Sequence, residues 1–134
     1  MKAPVLDSSV TLAWVFRDGP SASVDAALDQ VAEIGGVAPA LWWVEVRNVL
    51  VTAERRGRLK QEDTSAALQA IDALGIRLDH APDSASLLRL ARTHGLTVYD
   101  AMYLELCIRQ QRPLATLDRK LGAAAQAEGI TLTA

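Results

Sequence analysis

Short apolar runs alternate with longer amphipathic stretches along this chain. Pro4-Val5-Leu6 reads as a buried strand, and Ser8 or Ser9 suits the cap of a helix running to Phe16. Asp18-Gly19-Pro20 marks a turn. A helix is expected from Ser21 to Ile34, ended by Gly35-Gly36, and Val37-Ala38 is a very short strand. Leu41 to Arg56 forms the strongest helical pattern, with Gly57 at its end, and Gln61 to Leu74 forms another, stopped by Gly75. Ile76-Arg77-Leu78 is a strand, Ser84 to His94 a helix before Gly95, and Val98 to Gln111 a helix ended by Pro113. Leu114-Ala115-Thr116 is a strand, Arg119 to Glu128 a helix, and Ile130-Thr131-Leu132 a last strand.

Five strands separated by helices point to an α/β domain, a parallel sheet with helices on both faces, occupying residues 1–134 as one unit. Ligands of such sheets sit beyond the carboxyl ends of the strands, where strand order reverses. Asp7 directly follows the first strand and Asp118 closely follows the fourth. If those strands are neighbours, the two carboxylates face one crevice.

Composition narrows the reading. Hydrophobic residues make up 50% of the chain, enough for a sizeable core. Aromatics are only 4%, few for stacking bases, and 14 Lys+Arg against 16 Asp+Glu leave no basic excess for coating nucleic acid. An enzyme that binds phosphate through metal held by acids remains compatible. Cys107 is the one cysteine, so no intrachain disulfide forms. With His80 and His94 it makes too few ligands for a zinc site of the usual kind. Only Ala3 to Leu6 separate Lys2 from Asp7, which argues against a signal peptide, and the apolar run Val37 to Val44 is too short to span a bilayer. A cytoplasmic protein with no membrane association is expected.

The acids carry the chemical signal. In the helix from Leu41, Glu45, Asn48 and Thr52 share one stripe, while Arg47 and Glu54 lie nearly opposite and suit the solvent face. A helix with two opposed polar stripes has one facing water and the other facing something else. Asp100 shares a helix face with Leu104 and Cys107, with Glu105 and Arg109 assigned to the solvent side. Asp7, Asp100 and Asp118 each also suit a helix N-terminus, so capping competes with chemistry at all three. Capping leaves the inward Glu45 stripe unexplained. Clustered like charges raise one another's pKa, and a shared divalent cation relieves them. Oxygen-only ligands select Mg²⁺, Mn²⁺ or Ca²⁺. Such a site suits phosphoester hydrolysis, in which metal lowers the pKa of a water and steadies charge on the reacting oxygens. No phosphate-cradling glycine loop and no dinucleotide fingerprint is present. The basic run Arg55-Arg56-Gly57-Arg58-Leu59-Lys60 suits either a helix C-terminus or contact with RNA phosphate.

Four blocks resemble those of the PIN domain, in order and spacing. They are Val5-Leu6-Asp7-Ser8-Ser9-Val10, Trp43-Val44-Glu45-Val46-Arg47-Asn48-Val49-Leu50, Tyr99-Asp100-Ala101-Met102-Tyr103-Leu104-Glu105-Leu106 and Ala115-Thr116-Leu117-Asp118-Arg119-Lys120-Leu121. The compact length resembles the VapC-type toxins of bacterial type II toxin–antitoxin systems. The resemblance implies a five-stranded sheet of order 3-2-1-4-5. It implies a Mg²⁺- or Mn²⁺-dependent endoribonuclease whose metal-binding and catalytic set is Asp7, Glu45, Asp100 and Asp118. Ser9, Asn48 and Thr116 match supporting polar positions. RNA as substrate, a cognate antitoxin and a homodimer follow as implied partners. Cys107 stands where such proteins often carry a small residue.

Two other readings compete. A metal-dependent phosphatase of similar fold would form a phospho-aspartate at Asp7, but that class wants a second Asp where this chain has Ser9. A non-catalytic module would use the acids only to bind metal or a basic partner.

Overall fold

The computed structural model describes residues 2–16 and 21–133. The turn expected at Asp18-Gly19-Pro20 lies outside them. The elements run β1 (Val5–Leu6), α1 (Ser8–Val15), α2 (Ala22–Ile34), β2 (Val37–Pro39), α3 (Ala40–Arg55), α4 (Gln61–Ala73), β3 (Arg77–Asp79), α5 (Ser84–His94), α6 (Val98–Gln110), β4 (Leu114–Ala115) and α7 (Arg119–Ala127). Every strand pair is parallel, and the order is β3-β2-β1-β4. The first and fourth strands are therefore neighbours, with Leu6 opposite Ala115.

Among the described residues the sheet has four strands, not the five expected. Ile130-Thr131-Leu132 does lie along the outer edge of β4, but it makes a single bridge, Leu114 to Leu132. Leu114 N–H donates to Thr131 O at 2.9 Å, and Thr133 N–H donates to Leu114 O at 2.9 Å. Among the described residues no further bridge forms, and β4 itself is two residues long. Thr116, expected to extend it, leaves the sheet and spends its hydroxyl on Asp7 and Asp118.

Successive strand residues point to opposite faces. Val5, Leu6, Leu114 and Ala115 are all fully buried, so both faces of the central strands are covered. α6 packs against β1, β2 and β4, and α3 packs against β2 and β3. Among the described residues no helix is long and apolar enough to cross a membrane.

One helix face needs correction. Glu105, assigned to solvent, is 2% exposed. α6 is enclosed almost all round, with Ala101 and the run Tyr103 to Cys107 buried. Arg109 makes that burial tolerable. Its Nε donates to Glu105 Oε2 at 2.8 Å, and its Nη2 donates to Asp79 Oδ2 at 2.6 Å, binding α6 to the end of β3. The basic run after α3 behaves as a helix end: Arg56 is the C-cap, Gly57 takes φ +72°, and the Arg58 guanidinium lies 4.9 Å from the centre of the Phe16 ring.

Candidate active site

The crevice beyond the carboxyl ends of β1 and β4 is built from the first turns of α1, α6 and α7 and the second turn of α3. Asp7 sits at the N-cap of α1 but makes no side-chain cap bond. Asp7 is 5% exposed, and its carboxylate is held by hydroxyls instead. Ser9 Oγ and Thr116 Oγ1 each donate to Asp7 Oδ2 at 2.7 Å. Both hydroxyls are themselves oriented, since Leu117 N–H donates to Ser9 Oγ at 2.9 Å and Asp118 N–H donates to Thr116 Oγ1 at 3.0 Å. The sheet register that sets Leu6 beside Ala115 brings these two loops together.

Asp100 is not the cap of α6 either. Thr97 holds that role and accepts the Asp100 N–H at 3.1 Å, leaving the carboxylate of Asp100 to face the crevice. Asp118 is a true cap: its Oδ1 accepts Lys120 N–H at 2.9 Å and Leu121 N–H at 3.0 Å. Capping and a place in the cluster thus coexist at Asp118. Glu45 points inward from α3 and accepts the hydroxyl of Tyr103 on Oε1. Asn48, one turn on, is exposed and stays outside this network.

The four acids feel one another. Burial pushes the Glu45 carboxyl above its ordinary range against the Tyr103 hydrogen bond, and the charges of Asp7 and Asp100 push it further. Burial does the same to Asp100, aided by the charges of Asp118 and Asp7. As the side chains stand, no three His, Cys, Asp or Glu among the described residues are gathered closely enough to hold one ion. By chemistry the set still fits a hard divalent cation: every donor is oxygen, and two of the carboxyls carry a repulsion that a cation relieves.

Tyr103 is the residue that sequence reasoning passed over. It is 1% exposed, stands one turn beyond Asp100 and meets Glu45 across the crevice. The available signal was a phenol in an apolar helix at i+3 from a candidate acid, since a buried tyrosine hydroxyl needs a partner.

The fold is thus a parallel α/β sheet with acids that influence one another near the carboxyl ends of two adjacent strands. The chain matches the PIN domain over residues 5–127, and the four blocks that carry the resemblance all lie inside that span. It belongs to the PIN-domain family, in its VapC-like branch. Ribonuclease VapC3 of Pyrobaculum aerophilum is 32% identical over 121 residues, which cover 87% of this chain and 90% of the relative. Among solved structures, PAE2754 from Pyrobaculum aerophilum has a TM-score of 0.75 at 25% identity, covering 98% of this chain and 84% of that one. FitAcB from Neisseria gonorrhoeae shares the fold at a TM-score of 0.68 and 19% identity, covering 97% of this chain and 96% of that one.

Proposed function

We propose that this protein is a divalent-cation-dependent endoribonuclease that acts as the toxin of a toxin–antitoxin pair. The observation that carries the reading is the convergence of Asp7, Glu45, Asp100 and Asp118 on one crevice, from four blocks of a PIN domain. Relatedness to a protein named as a ribonuclease supports RNA as the substrate. Asp7, Glu45, Asp100 and Asp118 would hold Mg²⁺ or Mn²⁺. When bound, the ion supplies a more acidic water and neutralises charge on the phosphate under attack. The chain's own part is to preorganise the acids. Ser9 and Thr116 fix the Asp7 carboxylate, Tyr103 fixes that of Glu45, and the first turn of α7 fixes that of Asp118. Rigid donors need no rearrangement as the reaction proceeds.

The reading includes a cytoplasmic location, a homodimer and restraint by a small antitoxin. The antitoxin would seat on the groove between α1 and α4, lined by Trp14, Val15, Leu59, Ala66, Ala67 and Ala70. An Arg or Lys from the partner would pair with the acids and compete with metal. The test is cleavage of single-stranded RNA with Mn²⁺ and with excess chelator. Cleavage that chelation abolishes and metal restores is expected, whereas a protein that binds Mn²⁺ without cutting RNA would be a binding module. Release of inorganic phosphate from small phosphoesters would mark a phosphatase.

A further inference from the structure

Tyr103 is buried among apolar residues of α6, yet its hydroxyl does not end in packing. It crosses from α6 to α3 and donates to Glu45 Oε1. A phenylalanine would fill nearly the same volume, so core packing gives no reason for an oxygen at this depth. Asp7 is handled alike: its two short hydroxyl bonds, from Ser9 and Thr116, fall on Oδ2, while Ser8 Oγ stands at 3.4 Å from Oδ1. At Glu45 the Tyr103 hydroxyl engages Oε1, with Ser8 as a further hydroxyl partner of the carboxyl.

We propose that Tyr103 is a positioning residue that makes Glu45 a one-oxygen ligand and thereby favours a small octahedral cation over a larger one. The inference rests on the cation reading of the site. Mg²⁺ and Mn²⁺ accept single carboxylate oxygens in near-ideal octahedra, whereas Ca²⁺ takes more ligands and often both oxygens of a carboxylate. A phenol fastened to Oε1 opposes the two-oxygen mode and fixes the direction of Oε2. Hydrogen-bond partners behind a ligand generally set its orientation and affinity in this way.

The experiment is calorimetric titration of the full chain with Mn²⁺ alone and with Ca²⁺ alone, without RNA, in wild type, Tyr103→Phe, Glu45→Gln and the double variant. Circular dichroism and thermal melting identify the folded variants. Tyr103→Phe is expected to weaken Mn²⁺ binding roughly tenfold to a hundredfold. It should weaken Ca²⁺ binding less, so the preference for Mn²⁺ narrows. In the Glu45→Gln background the same change should have little further effect, because the carboxylate it positions is gone. Should Tyr103→Phe fail to fold, Tyr103→Met, which likewise lacks a hydroxyl donor, carries the same cycle. Unchanged Mn²⁺ affinity in folded Tyr103→Phe overturns the inference alone, and so does an equal effect with Glu45 and with Gln at that position. If the wild type binds no Mn²⁺, the cation reading fails and this inference fails with it.

Discussion

The Thr116 hydroxyl donates to Asp7 Oδ2 at 2.7 Å while accepting the Asp118 N–H at 3.0 Å. One side chain thus ties the residue that follows β1 to the residue that caps α7. Ser9 reaches the same Asp7 oxygen at 2.7 Å. Hydrogen bonds to charged groups contribute more than neutral ones. Thr116→Val and Ser9→Ala should each cost about 1.5–3 kcal/mol in urea unfolding. Because both serve one oxygen, the double variant should cost more than the sum, as contacting residues usually couple. Strict additivity would show that the two hydroxyls do not share this load.

Asp7→Asn and Asp100→Asn should each abolish metal-dependent RNA cleavage while leaving the fold intact. Near wild-type, chelator-sensitive cleavage by either folded variant would remove that residue from the site.

The same cluster has a thermal signature. A ligand that binds only the folded state stabilises it by about 2.7 kcal/mol at a hundredfold excess over Kd. Mn²⁺ should therefore raise the melting temperature of the wild type and do much less for Asp100→Asn. Without metal, Asp100→Asn should melt higher than wild type at low salt, since burial and the charges of Asp118 and Asp7 act against the Asp100 carboxylate. Equal Mn²⁺ shifts in both proteins would place the ion elsewhere.

A second ion-pair system lies apart from the crevice. The Arg109 hydrogen bond holds the Asp79 carboxyl below the usual carboxylate range, against a smaller opposing effect of burial. Its contribution to stability is present above the pKa of a free aspartate, about 4. It disappears as pH falls through the lower folded value. Wild type should consequently lose stability more steeply below about pH 4 than Asp79→Asn does. Arg109→Ala should be worse at neutral pH, costing about 3 kcal/mol, because it strands the buried Glu105. If acid unfolding curves of wild type and Asp79→Asn have the same slope, the pair is not coupled to folding.

Much of this arrangement was legible from periodicity. Each expected helix is present, and the order around β1 placed Asp7 and Asp118 in one crevice. What periodicity resolved poorly were short elements and enclosed ones. The last strand is a single bridge among the described residues, and Thr116, expected in β4, bonds Asp7 instead, a tertiary choice that no local pattern records. Glu105 looked solvent-facing because it stands one turn from Arg109, and that pairing is instead what allows its burial. Capping preferences left three aspartates ambiguous. Only the structure separates them: Thr97 relieves Asp100 of the role, hydroxyls occupy Asp7, and Asp118 alone caps with its side chain. Asn48 matched the family position in sequence but lies exposed, outside the hydrogen-bond network.

The proposed restraint by a partner would act at the groove between α1 and α4. Trp14, Val15 and Phe16 pack against the core while remaining partly exposed, and Trp14 and Val15 also line this groove. The α4 wall is formed by Asp63, Ala66, Ala67 and Ala70, and its three alanines let a helix or extended segment approach closely. A long charged side chain there should obstruct an apolar partner while leaving the crevice acids untouched. The protein and its proposed antitoxin, expressed from adjacent reading frames, should co-purify, and the partner should suppress RNA cleavage. Ala67→Arg should weaken that capture, so that cleavage resumes in the presence of the partner and expression of the pair becomes toxic to the cell. Expression of the wild type alone should arrest growth, and Asp7→Asn should abolish the arrest. Harmless expression of an active wild-type nuclease, together with no capture of the neighbouring product, would instead describe a PIN-domain nuclease that needs no antitoxin.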